Sequence, residues 1–133
     1  MMIGCNSLSK FGPLLGRILL AAIFIHAGYG KLTGWDSTLG FMASKGIPLT
    51  NVVLALTILI ELGGGLMIAL GFYARWAALA IFLFLIPVTY IFHPFWVDPG
   101  EMNNFMKNVA IMGGMLYIMN FGSGRYSLNN SGC

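Results

Sequence analysis

Hydrophobic residues fill four stretches of the chain, and each stretch is as long as a membrane-crossing helix. A helix that crosses a bilayer needs roughly 20 predominantly apolar residues. The stretches fall at about residues 13–32, 50–72, 74–92 and 104–121, which is most of the 133-residue chain. The pattern therefore predicts an all-α fold with a single membrane domain over residues 1–133, an integral membrane four-helix bundle of antiparallel up-down topology.

Polar segments separate the predicted helices. The longest, residues 33–49, is interpreted as a loop in which Gly46 and Pro48 mark a turn. Only residues 71–75 join the second and third stretches, so those two helices are expected to form a tight antiparallel hairpin.

Composition supports a bilayer environment. Hydrophobic residues make up 58% of the chain and charged residues only 8%, whereas soluble domains carry about 25% charged residues. The net charge of +3 comes from seven basic and four acidic residues, so it reflects scarce acids. A nucleic-acid partner that needs a basic patch is therefore excluded. The two cysteines, Cys5 and Cys133, lie at opposite ends and give no metal-ligand spacing, so no metal site is predicted.

The distribution of basic residues predicts the orientation. The first stretch lacks a signal-peptide cleavage site and is expected to remain as a helix. One side of the bundle would carry Lys10, Arg17, Arg75 and Arg125, and the other side Lys31, Lys45 and Lys107. All three acids outside the spans fall on the second side. By the positive-inside rule, both termini are expected in the cytoplasm.

Several polar side chains fall within or at the ends of the predicted spans. Such groups are costly in lipid and normally face the bundle interior, where they find partners. The candidates for a buried polar cavity are Arg17, His26, Lys31, Glu61, His93 and Asn108. Arg17 and His26 lie on opposite faces of the first helix, so only one of them is expected to pair with Glu61, and the sequence does not decide which. The pair either fixes helix register as a salt bridge or lines a cavity that binds a polar headgroup or relays a proton.

Glycines cluster in the second and fourth stretches. The residues interpreted as close-packing positions are Gly63, Gly64, Gly65, Gly113 and Gly114. Small residues let membrane helices approach closely. For the first three, the alternative is that their missing side chains leave a pocket beside Glu61.

Taken in order, several motifs resemble the DoxX family of small four-helix membrane proteins. They are an early Arg17, G-x-x-K-L over residues 28–32, G-x-P over 46–48, E-L-G-G-G-L-x-x-x-L-G-x-x-x-R over 61–75, and His93 closing the third helix. The resemblance implies a multi-pass protein of the bacterial inner (plasma) membrane. It also implies a link to quinones, because the family takes its name from the small membrane subunit of a thiosulfate:quinone oxidoreductase.

Two function classes follow, and the residues leave open whether the chain is an enzyme. In the first, the chain is the membrane subunit of a quinone-linked oxidoreductase, with quinone as the ligand and a soluble or membrane partner that supplies electrons. In the second, it is a non-catalytic scaffold or assembly factor whose 33–49 segment contacts a partner protein. A homo-oligomer is compatible with both classes. A small-solute transporter is disfavoured, because the chain shows neither an inverted repeat nor broken helices.

Overall fold

In a computed structural model, the chain is described from residue 7 to residue 124, with side chains from residue 11. It is all-helical over this range. The helices are α1 (Ser7–Thr33), α2 (Trp35–Ser44), α3 (Thr50–Ile58), α4 (Gly64–Leu70), α5 (Ala74–Phe92) and α6 (Met102–Phe121). A π-helical turn, Leu59–Gly63, joins α3 to α4, and a short 3-10 helix, Pro99–Glu101, precedes α6. Cys5, Cys133 and Arg125 lie outside the described residues.

Three helices are long and apolar enough to cross a membrane. They are Phe11–Thr33, the continuous α3–α4 helix at Thr50–Leu70, and Ala74–Phe92. The 20-residue α6 has the length for a crossing, but four of its first seven residues are asparagine or lysine, and it falls outside this apolar set. The fourth crossing at 104–121 therefore stays a prediction.

The interpretation of residues 33–49 as a loop is wrong for its central part, which forms α2. Trp35, Leu39 and Met42 recur at helical spacing. They pack with Leu54 and Ile58 of α3 in a small apolar cluster, and this burial stabilises a short helix that would be marginal alone.

The first helix begins earlier than predicted. It starts at Ser7 and runs through Pro13, which the sequence analysis placed at its start. The helix therefore begins six residues before the predicted boundary, a difference of about 9 Å along its axis.

The main core lies where α1, α4, α5 and α6 meet. Its most deeply buried side chains include Ala21, Ile68, Ile81 and Met115, all with no exposed surface. In this arrangement α1 packs against α4 and the π turn, while α5 packs against α4 and α6. The short connection between α4 and α5 begins at Gly71, whose positive φ of 70° ends α4 in a left-handed cap.

The glycines predicted to allow close packing differ in what surrounds them. A Cβ added to Gly64 would lie 3.0 Å from Ile81 of α5, and one on Gly65 would lie 3.0 Å from Ile25 of α1. Gly114 faces Leu20 at 3.3 Å. By contrast, an added Cβ at Gly113 meets no atom within 4 Å, and one at Gly63 meets only Leu59 of its own turn. Within this chain, Gly63 and Gly113 therefore lack the tight contacts that Gly64, Gly65 and Gly114 make.

Candidate functional site

An ion pair between Lys31 of α1 and Glu61 of the π turn forms the centre of the candidate site. Lys31 Nζ lies 2.9 Å from Glu61 Oε1, and the two side chains are 29% and 10% exposed. Side chains on a helix point back toward its N-terminus, so Lys31, near the end of α1, reaches down into the bundle. In the described part of the chain, Lys31 is the residue that pairs with this carboxylate.

The π turn gives Glu61 its position. Such a turn adds one residue to the helical repeat and so rotates the following residues by about 100°. Glu61 can therefore face the bundle interior while Gly64 and Gly65, just beyond it, face α5 and α1. Single π turns occur frequently at functional sites.

Gly28 brings α1 against this turn. A Cβ at Gly28 would lie 2.9 Å from the backbone nitrogen of Leu62, closer than real Cβ atoms approach. The glycine thus sets the height of α1 against the π turn, with Lys31 one turn beyond the contact.

A cavity of about 280 Å³ adjoins the ion pair. Its walls come from α1, α2, α3, the π turn, α5 and α6. The polar residues that line it are Lys31, Thr38, Thr57, Glu61, His93, Lys107 and Asn108. The aromatic residues that line it are Phe24, Phe41, Phe84 and Phe92. The site therefore combines a few polar groups with an otherwise apolar wall, as binding pockets for small molecules commonly do.

Asn108 and Thr89 form a polar contact within the bundle. Asn108 Nδ2 donates to Thr89 Oγ1 at 3.0 Å, and both residues are buried. This bond joins α6 to α5. Because Asn108 also lines the cavity, it holds the α6 wall of the site in place.

A second charged group lies at the α5–α6 end of the cavity. His93 Nδ1 lies 2.7 Å from Glu101 Oε2, and Asn104 Nδ2 donates to the same oxygen at 3.0 Å. The hydrogen bonds from Asn104 and His93 hold the pKa of Glu101 below its ordinary value, and the charge on Lys45 adds to this effect. His93 also lines the cavity. The cluster therefore extends from the cavity wall into the loop between α5 and α6.

The prediction that Arg17 or His26 pairs with Glu61 is wrong. His26 is exposed on the outer face of α1. Arg17 is buried but lines a separate cavity between α1 and the end of α6, and its Nε donates to the Pro13 carbonyl at 3.4 Å. The face that contains Arg17, Phe24, Gly28 and Lys31 is indeed the inner face. The member beside Glu61 is Lys31, because Gly28 packs against Leu62 and so places the end of α1 level with the π turn.

Of the six residues predicted for a polar cavity, the structure brings four together: Lys31, Glu61, His93 and Asn108. Sequence reasoning missed Glu101 as the partner of His93, although its place in the short connection after α5 was a usable signal. It also missed Thr57, which lies one helical turn before Glu61, and the α2 residues. In the described residues, no three His, Cys, Asp or Glu side chains cluster as a metal site requires.

Comparison with known proteins identifies relatives of the chain. Residues 12–94 match the family model described as DoxX. The chain is 39% identical over 124 residues to inner membrane protein YqjF of Escherichia coli (strain K12), covering 93% of this chain and 94% of that protein. It is 33% identical over 121 residues to inner membrane protein YphA of the same organism, covering 87% and 86%.

A more distant relative is the Surfeit locus protein 4 homolog of Schizosaccharomyces pombe (strain 972 / ATCC 24843). The chain is 28% identical to it over 123 residues, which cover 87% of this chain and 36% of that protein. No solved structure matches the chain significantly. The family match and the two bacterial relatives together show that the chain belongs to the DoxX family of integral membrane proteins.

Proposed function

We propose that the chain binds a quinone in the cavity beside Lys31 and Glu61, as the membrane subunit of a quinone-linked oxidoreductase. One observation carries the proposal: a partly buried ion pair forms one wall of a cavity whose other walls are largely aromatic and aliphatic. A bundle that needed only a salt bridge would be expected to pack apolar side chains against it and leave no such space.

The size and the walls of the cavity suit a small ring with polar substituents. Small-molecule pockets measure about 300 to 1,000 Å³, so a cavity of about 280 Å³ matches a single ring rather than a large cofactor. Phe24 and Phe84 offer aromatic surface to a flat ring. Lys31 supplies a charged hydrogen-bond donor for a ring carbonyl oxygen.

Proton transfer is the chemistry that this chain's own residues would contribute. Reduction of a quinone to a quinol takes up two electrons and two protons. Glu61 lies at the cavity wall and can give or accept a proton at its carboxylate. His93 and Glu101 lie between the cavity and the loop, where a proton can be exchanged with water. The proposal assigns the electrons to a partner subunit.

The proposed location is the bacterial inner membrane, with both termini in the cytoplasm. The two Escherichia coli relatives are named as inner membrane proteins. In that orientation the loop end of the cavity, with His93 and Glu101, faces the opposite side of the membrane. Protons would then exchange with that side.

The second candidate function is a scaffold that recruits a partner protein. The observation in its favour is that Lys31 satisfies the charge of Glu61 directly, as a structural ion pair would. In that case the exposed face of α2, which includes Asp36 and Phe41, would be the contact surface.

Purification in mild detergent, followed by mass spectrometry of co-purified lipids and proteins, distinguishes the two functions. We would compare the wild type with Glu61→Gln, which removes the charge at nearly constant shape. Asp36→Asn is the matched control, because Asp36 is exposed and does not line the cavity. We expect quinone to co-purify with the wild type and with Asp36→Asn but not with Glu61→Gln at equal yield.

Absence of quinone from all three proteins, with one partner protein retained by the wild type and by Glu61→Gln, would overturn the oxidoreductase proposal and favour the scaffold. Loss of quinone from Asp36→Asn as well would show that the loss from Glu61→Gln is not specific to the cavity, and it would remove the support for a site beside Glu61.

A further inference from the structure

A second cavity adjoins the one beside the ion pair. It measures about 360 Å³ and lies between the α2–α3 connection, α3, the π turn and α5. Five residues form walls of both cavities: Met42, Thr57, Phe84, Val88 and Phe92. We call this second cavity the lateral groove. These shared residues show that the lateral groove and the ion-pair cavity are neighbours.

The lateral groove is apolar and faces the lipid side of the bundle. Apart from Lys45 and Thr57, the side chains that line it are hydrophobic. Leu56 of α3 and Ile91 of α5 form part of its wall and are 52% and 38% exposed. An exposed apolar wall on a membrane-spanning helix is expected to face lipid. The groove thus connects the bilayer to the space beside the polar cavity.

The packing of the helices explains why the groove exists. Beyond the π turn, α5 packs against α4, whereas α3 packs against α1 and α2. Helices α3 and α5 therefore diverge before the π turn, where α3 does not pack closely against α5. Pro87 of α5 lies in this gap. Proline carries no N–H, and its ring clashes with the preceding turn of the helix. Pro87 therefore weakens α5 at the point where α3 does not pack against it.

We propose that the lateral groove holds the apolar tail of a ligand whose polar ring occupies the cavity beside Lys31 and Glu61. The ligand class is a quinone with an isoprenoid or alkyl tail, and it enters from the bilayer between α3 and α5. This inference rests on the proposed function, and it adds the tail site and the route of entry. A polar cavity next to an apolar groove that opens to lipid is the arrangement an amphiphilic ligand requires.

Obstruction of the groove tests the inference. Leu56→Trp places a larger side chain in the groove, and the exposure of Leu56 makes the change tolerable for folding. Leu66→Trp is the matched control, because Leu66 is 46% exposed on the same continuous helix and lines neither cavity. The full chain in lipid nanodiscs is titrated with two probes, a tail-less methoxy-substituted benzoquinone and the same ring with a ten-carbon alkyl tail.

We expect Leu56→Trp to weaken binding of the tailed probe by about tenfold or more, equivalent to at least ~1.4 kcal/mol. The reason is that the tryptophan side chain occupies the part of the lateral groove that would hold the tail. The tail-less probe should bind all three proteins within about twofold, and Leu66→Trp should match the wild type for both probes. Partition of a probe into lipid is the same for every variant, so it cancels in the comparison.

A second pair keeps the test decisive if Leu56→Trp folds poorly, which size-exclusion chromatography and thermal unfolding of the variant would reveal. Ile91→Trp obstructs the groove from α5, and Leu83→Trp is its exposed control on the same helix. Equal effects of the groove variants on both probes, or no effect on either, would overturn the tail site while leaving the proposed function intact. Failure of the wild type to bind either probe would overturn both.

Discussion

Gly28 of α1 and Leu62 of the π turn lie so close together that a Cβ on Gly28 would come within 2.9 Å of the Leu62 nitrogen and 3.0 Å of its Cβ. Backbone and Cβ atoms cannot move aside as the end of a flexible side chain can. The contact therefore fixes the height of α1 against the turn that carries Glu61. It also determines which α1 residue meets that carboxylate.

Gly28→Ala should destabilise the protein by about 1 to 3 kcal/mol, because the added methyl group pushes α1 away from the π turn. Thermal unfolding in detergent measures the loss. Gly30→Ala is the matched control: Gly30 lies two residues away with open space around its Cβ position, and alanine favours a helix by up to about 1 kcal/mol. Equal unfolding temperatures for the two variants would contradict the close contact.

Removal of one partner of the Lys31–Glu61 pair should cost more stability than removal of both. A single loss leaves the other charge in the bundle, which costs about 3 to 5 kcal/mol in fully buried pairs. Because 29% of the Lys31 side chain is exposed, we expect about 1 to 3 kcal/mol here. Lys31→Met, Glu61→Leu and the double variant form the cycle, read by thermal unfolding. Additive losses would show that the two residues do not interact.

For the hydrogen bond between the neutral side chains of Asn108 and Thr89, removal of one partner should also cost more stability than removal of both. Asn108→Leu leaves the buried Thr89 hydroxyl without its partner and should cost about 1 to 3 kcal/mol. Replacement of both partners, as Asn108→Leu with Thr89→Val, should recover much of that loss. Thermal unfolding of the three variants measures it. A double variant as unstable as the sum of the two single variants would argue against the bond.

Acid should weaken the cluster of Glu101, His93 and Asn104. Folding lowers the pKa of Glu101 from its ordinary value of 4.5, chiefly through the hydrogen bonds from Asn104 and His93, so the folded chain binds this proton more weakly than the unfolded chain. The stability from Glu101 is therefore fully present above about pH 4.5 and is lost as the pH falls through the lower folded-state pKa.

Unfolding temperatures of the wild type and Glu101→Gln, measured from neutral pH to below pH 4.5, test this dependence of stability on pH. The wild type should be the more stable protein near neutral pH, and the difference should shrink below pH 4.5. A difference that stays constant or grows on acidification would contradict the hydrogen bonds to Glu101. Asp36→Asn, which removes an exposed acid, controls for the change in net charge.

Sequence patterns predict what depends on hydrophobic periodicity. The apolar stretches locate the three helices that are long and apolar enough to cross a membrane, and helical spacing places Arg17, Phe24, Gly28 and Lys31 on one face of α1. That face is the one the bundle buries. The burial of Glu61 follows from the cost of a carboxylate in lipid.

The remaining features depend on tertiary contacts. The π turn has no sequence signal beyond the glycines that follow Glu61, and it alters which side chains face the cavity. The relative height of two helices is set by one contact, Gly28 against Leu62. The sequence does not reveal this contact, and it therefore suggests Arg17 or His26 in place of Lys31. Helix α2 forms because α3 buries one side of it, which a reading of residues 33–49 alone misses.

The most direct test of quinone binding beside Lys31 and Glu61 is photolabelling in native membranes. A photoreactive quinone analogue would be irradiated with the full-length protein, and mass spectrometry would map the labelled peptides. We expect labels on cavity residues such as Phe41, Met42 and Ile111, suppressed by excess unlabelled quinone and by Glu61→Gln. Labels spread along lipid-facing residues such as Trp76 and Leu83, unaffected by competitor, would contradict the cavity as the quinone site.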